Sequence, residues 1–125
     1  MYAGKVLVVD DSSTIRETVR CILELFGFAV IEANNGRDAL RKLNSDPLAL
    51  IITDYSMPEM NGLELIQVLK HHPSQSKVPV IMLTAEDKVK QQALHAGASG
   101  WLTKPFGYEA LTTLVCKMTT EAAAC

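Results

Sequence analysis

Asp10 and Asp11 stand together directly after the apolar run at 6–9, and Asp54 stands directly after another apolar run at 48–53. Thr84 follows a third such run at 78–83, and Lys104 with Pro105 follows a short one at 100–103. Three carboxylates gathered at one place repel one another. Two of them ~5 Å apart at an effective dielectric of ~20 oppose each other by roughly 3 kcal/mol. Either one takes up a proton or a cation sits among them. A donor set of oxygens without His or Cys favours a hard cation, and Mg2+ is the abundant choice.

Whether those residues meet depends on the elements that carry them. The run Lys5-Val6-Leu7-Val8-Val9 has no alternation, which is the pattern of a central parallel strand covered on both faces. Ile15, Val19, Ile22, Leu23 and Phe26 then recur at helical spacing, from the Asp10–Ser13 stretch with its capping residue types to a stop at Gly27. The pattern repeats. Strands are expected at 28–33, 48–53, 78–83 and 100–103. Helices are expected on the apolar stripes of Ala39, Leu40 and Leu43, of Leu63, Leu65, Ile66 and Leu69, over 86–96, and over 107–120, with Leu111, Leu114, Val115 and Met118 inward. Five strands alternating with five helices through short loops predict an α/β fold, a doubly wound parallel sheet with helices on both faces. All strand C-termini then lie along one edge, where ligands bind at the switch in strand order. Four of the five strands deliver a polar or charged group to that edge.

The competing explanation is helix capping: Asp10 or Asp11 could cap the first helix. A lone Asp would be read so. An Asp pair, a distant Asp, a Thr and a Lys, each after its own strand, are poorly explained by caps. No glycine-rich phosphate cradle follows the first strand, which argues against free nucleotide or flavin binding. His71, His72 and His95 fall on the third and fourth helices, away from the strand-end edge, and read as surface residues. Cys21, Cys116 and Cys125 are an odd number without a C-x-x-C pair, which argues against a disulfide framework or a zinc site. Cys21 and Cys116 read as small buried apolar residues and Cys125 as terminal and exposed. Twelve Lys plus Arg against fourteen Asp plus Glu leave no basic surplus for a nucleic-acid partner. No apolar run approaches the ~18 residues of a membrane span. The chain reads as one domain over 1–125, without membrane insertion, in a reducing cytoplasmic setting.

At this point the chain resembles the receiver domain of bacterial two-component response regulators. The resemblance covers nearly its whole length. Its parts are V-L-V-V-D-D at 6–11, I-I-T-D-Y-S-M-P at 51–58, N-G at 61–62, P-V-I-M-L-T-A at 79–85, A-G-A at 96–98 and K-P-F at 104–106. The length is similar to that of the single-domain chemotaxis regulators. The resemblance implies a flavodoxin-like sheet of order 2-1-3-4-5. It implies that Asp54 accepts a phosphoryl group from a phosphohistidine on a sensor histidine kinase or phosphotransfer protein. Asp11 and Asp54 would bind Mg2+ directly, with the backbone carbonyl of Ser56, and Asp10 would act through a metal-bound water. Lys104 would pair with the phosphoryl oxygens. Thr84 would bond to the phosphoryl group and move on activation, and Trp101 would move with it. The output would leave by the fourth helix, fifth strand and last helix toward a protein target.

Three points stay open on the residues alone. Pro105 follows Lys104 either through a cis bond that fixes the lysine's aim or as a plain trans turn proline. Trp101 stands where the family usually has Tyr or Phe, and is either a switch or a half-exposed aromatic packed on the last helix. The stretch from Thr84 to Trp101 is slightly short for the family, which bears on the loop before the fourth helix. Two other functions compete with the signalling receiver. A Mg2+-dependent small phosphatase with an aspartyl intermediate would need an acid two residues after the nucleophile, and Ser56 stands there. A receiver-like domain that binds partners without phosphorylation is disfavoured by the full acid, Thr and Lys set. No DNA-binding region follows the last helix, so the chain acts alone by protein contact or was cut from a larger regulator.

Overall fold

A computed structural model describes residues 4–119. The elements run β1 (Lys5–Val9), α1 (Ser13–Leu25), β2 (Ala29–Ala33), α2 (Gly36–Arg41), β3 (Leu50–Asp54), α3 (Gly62–Lys70), β4 (Val80–Thr84), α4 (Asp87–Ala96), β5 (Gly100–Thr103) and α5 (Tyr108–Met118). All strand pairs are parallel, in the order β2-β1-β3-β4-β5. This is the doubly wound sheet that the alternation of elements and the family resemblance lead one to expect.

The unalternating apolar runs explain the two layers. Successive strand residues point to opposite faces. Leu7, Val9, Ile51, Val80 and Met82 join the core beneath α2, α3 and α4, with Ala39, Leu65, Ile66, Leu69 and Ala93. Val6, Val8, Leu50, Ile52, Ile81 and Leu83 join the core beneath α1 and α5, with Val19, Leu23, Leu111 and Val115. Each such fully buried side chain contributes about 2 kcal/mol. A strand polar on either face could not occupy β1, β3 or β4.

Several boundaries differ from the expected ones, for local reasons. The first helix is capped by Ser12, whose Oγ accepts from the Ile15 N–H, so neither Asp10 nor Asp11 is spent on the cap. The second helix begins at Gly36, with Asn35 as its cap. β3 starts at Leu50 and ends on Asp54 itself, so the acid is the last strand residue and not the first of the loop. β4 starts at Val80 because Pro79 has no N–H to give and the Val78 N–H turns back to Gln75 O. Like Asp54, Thr84 ends its strand. Glu86 is the N-cap position of α4, and α5 ends at Met118; Thr120, the expected end, lies outside the described residues.

The cysteines correct the sequence reading. Cys21 is exposed on α1, and Cys116 is only half-buried and is not a free thiol; Cys125 lies outside the described residues. Helical spacing placed Cys21 near the apolar stripe, but Val19 and Leu23 are the residues that α1 buries. His71 and His95 are exposed as expected, whereas His72 is half-buried and accepts from the Ser74 N–H. Among the described residues no helix is long and apolar enough to cross a membrane.

Candidate functional site

The C-terminal ends of β1, β3, β4 and β5 bring the polar residues together. Asp10, Asp11 and Asp54 each offer a carboxylate oxygen, and these oxygens all lie within 4.8 Å of one another. Asp10 is fully buried, Asp54 nearly so, and Asp11 is exposed at the rim. Lys104 reaches across from the end of β5. Its Nζ donates to Asp10 Oδ2 at 3.1 Å and lies 2.9 Å from Asp54 Oδ1. One cation thus pairs with two of the three acids.

The charge imbalance appears in the ionisation of the site. Burial pushes the Asp54 carboxyl above its usual range; Lys104 pulls it back, and the Asp10 and Asp11 charges push it further up. Burial works against the charge on Lys104, but its bonds to Asp54 and Asp10 outweigh that and hold its pKa above the ordinary value. A buried, oxygen-only acid cluster with one member open to water fits a hard divalent cation that keeps part of its hydration.

Asp54 is aimed by its surroundings. The Tyr55 N–H donates to Leu83 O, so the chain stays in the sheet through the acid. The Gly62 N–H donates to Tyr55 O at 2.8 Å. A Cβ on Gly62 would lie 2.6 Å from Asp54 O and 2.8 Å from Met82 Sδ, so only glycine lets the start of α3 close on the end of β3. Asn61 and Glu64 cap that helix reciprocally. Ser56, expected to offer its carbonyl, is exposed in the loop between.

Thr84 is buried, and its Oγ1 accepts from the Glu86 N–H at 3.0 Å, which leaves the hydroxyl proton free to be donated. Its carbonyl accepts from the Lys104 N–H at 2.9 Å, so hydroxyl and lysine are tied through adjacent strands. The Lys104–Pro105 bond is cis, resolving the alternative left open above. Trp101 is half-buried and packs with the core on the α3 and α4 side, with Lys90 Nζ 5.9 Å from its ring centre. Packing on α5 alone therefore does not describe it.

Two residues at the site escaped the sequence reading. Arg16 donates from Nη1 to the Asp10 carbonyl at 2.6 Å and from Nε to Glu32 Oε1 at 3.3 Å. Glu32 was the available signal: a lone acid in the strand Ala-Val-Ile-Glu-Ala needs a partner, and α1 supplies two arginines one turn apart.

This fold and this edge of acids, hydroxyl and lysine define a receiver domain. The chain belongs to the response regulator receiver domain family, whose model matches residues 6–116. It is 40% identical over 106 residues to the chemotaxis protein CheY1 of Helicobacter pylori, covering 82% of this chain and 86% of that one. It is 37% identical over 110 residues to the chemotaxis protein CheY of Pseudomonas aeruginosa, covering 86% and 89%. The solved structure of the chemotaxis response regulator CheY4 of Vibrio cholerae superposes with a TM-score of 0.86 at 38% identity, covering 92% of this chain and 98% of that chain. The protein is a two-component signalling receiver with chemotaxis regulators among its relatives.

Proposed function

We propose that Asp54 is the phosphoacceptor of a cytoplasmic phosphorylation switch, charged by the phosphohistidine of a sensor histidine kinase or phosphotransfer protein. The observation that carries this reading is Lys104 shared between Asp10 and Asp54, with all three acids within reach of one cation. Asp11 and Asp54 would hold Mg2+ directly, with the Ser56 carbonyl, and Asp10 would act through a water. The metal, when bound, neutralises charge on the transferring oxygens.

An Asp54 oxygen forms the new P–O bond while the P–N bond of the donor breaks and its electron pair stays on the imidazole. A carboxylate approaching an anionic phosphoryl group meets like charge. Lys104 offsets part of it and receives the phosphoryl oxygens once Asp54 is esterified. The donor brings an activated group, so the chain need only position and stabilise. It catalyses its own phosphorylation and dephosphorylation and no other reaction. A phosphatase with an aspartyl intermediate is less well supported, because Ser56 offers no acid two residues beyond Asp54.

The phosphoryl group adds roughly two negative charges and three acceptors beside Thr84. Its free hydroxyl proton is drawn toward them. That loosens the Glu86 bond at the entrance to α4, and Trp101 turns into the space left. A protein target that prefers one shape of the α4, β5 and α5 face then senses phosphorylation. Trp101 is the sole tryptophan, so its fluorescence reports this place. Beryllofluoride with Mg2+, a stable phosphoryl mimic, should change its emission maximum or its quenching by acrylamide. Asp54→Asn should abolish that change, and Thr84→Ala should reduce it with metal binding intact. Unchanged emission and quenching at confirmed occupancy would refute Trp101 as the switch.

A further inference from the structure

Asp10 is held at every polar atom. Its N–H donates to Ala33 O at 3.1 Å, its Oδ1 accepts from the Ser12 N–H at 2.9 Å, and its Oδ2 accepts from Lys104 at 3.1 Å. The fourth bond, from Arg16 to its carbonyl at 2.6 Å, is of a different kind. The Asp10 carbonyl and the Asp11 N–H belong to one planar peptide unit, so whatever fixes one fixes the other. Among the described residues no hydrogen bond or ion pair holds the Asp11 carboxylate. Its place at the rim therefore depends on the direction in which the chain leaves Asp10.

Arg16 is itself restrained. Its Nε is paired with Glu32 Oε1 at 3.3 Å, and Glu32 lies on β2 opposite Val8 of β1. Arg20 approaches the other Glu32 oxygen at 3.5 Å, and its Nε is buried without a closer partner. The Arg16 side chain is mostly buried, at 17% exposure, and its guanidinium bridges helix, strand and site. A planar fork suits that task, because two of its nitrogens bind two acceptors at once in fixed directions.

We infer that Arg16 is a positioning residue for the acid pair: clamped by Glu32, it sets the peptide between Asp10 and Asp11 and through it the Asp11 carboxylate. This rests on the reading of the acids as the Mg2+ site. The alternative action of Arg16, as a nearby positive charge, has the opposite sign, since a cation beside a metal site weakens metal binding and its removal strengthens it.

The test uses the full chain, Arg16→Ala and Glu32→Gln, each titrated with Mg2+ by calorimetry well below its melting temperature. Positioning predicts about tenfold weaker binding for Arg16→Ala, the scale of losing a group that orients a metal ligand. Glu32→Gln, which keeps the shape but frees the arginine, should lose less in the same direction. The double variant should be no worse than Arg16→Ala. In the metal-free state the Asp11 amide resonance should move in both variants, which decides the positioning claim without any metal. Should Arg16→Ala fail to fold, Glu32→Gln carries the same two readouts. Unchanged affinity with an unmoved Asp11 amide would overturn the inference, and so would tighter binding. A parent protein that binds no Mg2+ would instead sink the reading of the acids as a metal site.

Discussion

Two buried carboxylates in this molecule sit in opposite electrical surroundings. Asp38, in the first turn of α2, is one acid among donors. Arg41 and Lys42 pair with it, and its Oδ2 also accepts from the Asn34 N–H at 3.2 Å. The Arg41 bond leads in lowering its pKa to about 2, against the effect of burial, with Lys42 and Asn34 adding to it. Asp54 is one of three clustered acids, of which a single lysine pairs with two, and burial pushes its pKa up. The first arrangement is complete and ties the β2–α2 turn together. The second leaves negative charge in excess, as the proposed binding of a cation and then a phosphoryl group would require. A site that receives something is recognisable here by charges left out of balance.

The two acids should therefore respond to neutralisation with opposite signs. Removing the Asp54 charge relieves repulsion of about 3 kcal/mol from a neighbouring carboxylate. It forfeits a charged hydrogen bond to Lys104 worth about 1.5–3 kcal/mol, but also the desolvation of a buried charge. Asp54→Asn is expected to stabilise the metal-free fold by about 1–2 kcal/mol at pH 7, read by urea denaturation. The folded pKa of Asp54 lies above its unfolded value, so the carboxylate costs stability above the folded value. That cost falls away as pH drops through the folded value toward 3.8. The gain from Asp54→Asn should shrink in parallel. A destabilised Asp54→Asn protein would mean that Lys104 already balances the cluster.

The smaller effect is at Asp38. Its folded pKa is depressed, so it contributes stability that is present above 3.8 and lost as pH falls toward about 2. The partners Arg41 and Lys42 are exposed to solvent, which screens the pairs. Asp38→Asn should destabilise by less than about 1 kcal/mol at pH 7, with the difference from the parent disappearing below about pH 2. A stabilised variant would erase the contrast.

The fold was legible because each strand is apolar on both faces and each helix on one, which leaves few other arrangements. The acid edge was legible for a topological reason: in a parallel sheet, residues ending different strands meet wherever they fall in the chain. What escaped depends on partners far apart. Gln75 lies in the loop between α3 and β4. It is buried, and its side chain bonds the Asn44 and Asp46 carbonyls and the Leu48 N–H. Nothing local marks a loop glutamine as a core residue when its partners lie 27–31 positions away. Asp38 was missed although it stands three residues after the Asn35 cap, a place where an acid meets the helix dipole. Trp101 could not be placed from its spacing, because a four-residue strand at the sheet edge does not say which helix its aromatic will meet.

We propose that the unbalanced edge serves to load Asp54. Incubation with acetyl phosphate, with and without Mg2+, followed by intact mass, tests it most directly. A single phosphoryl adduct that requires Mg2+ is expected on the parent, a strongly reduced one on Asp11→Ala, and none on Asp54→Asn. An adduct on Asp54→Asn equal to that on the parent would contradict it.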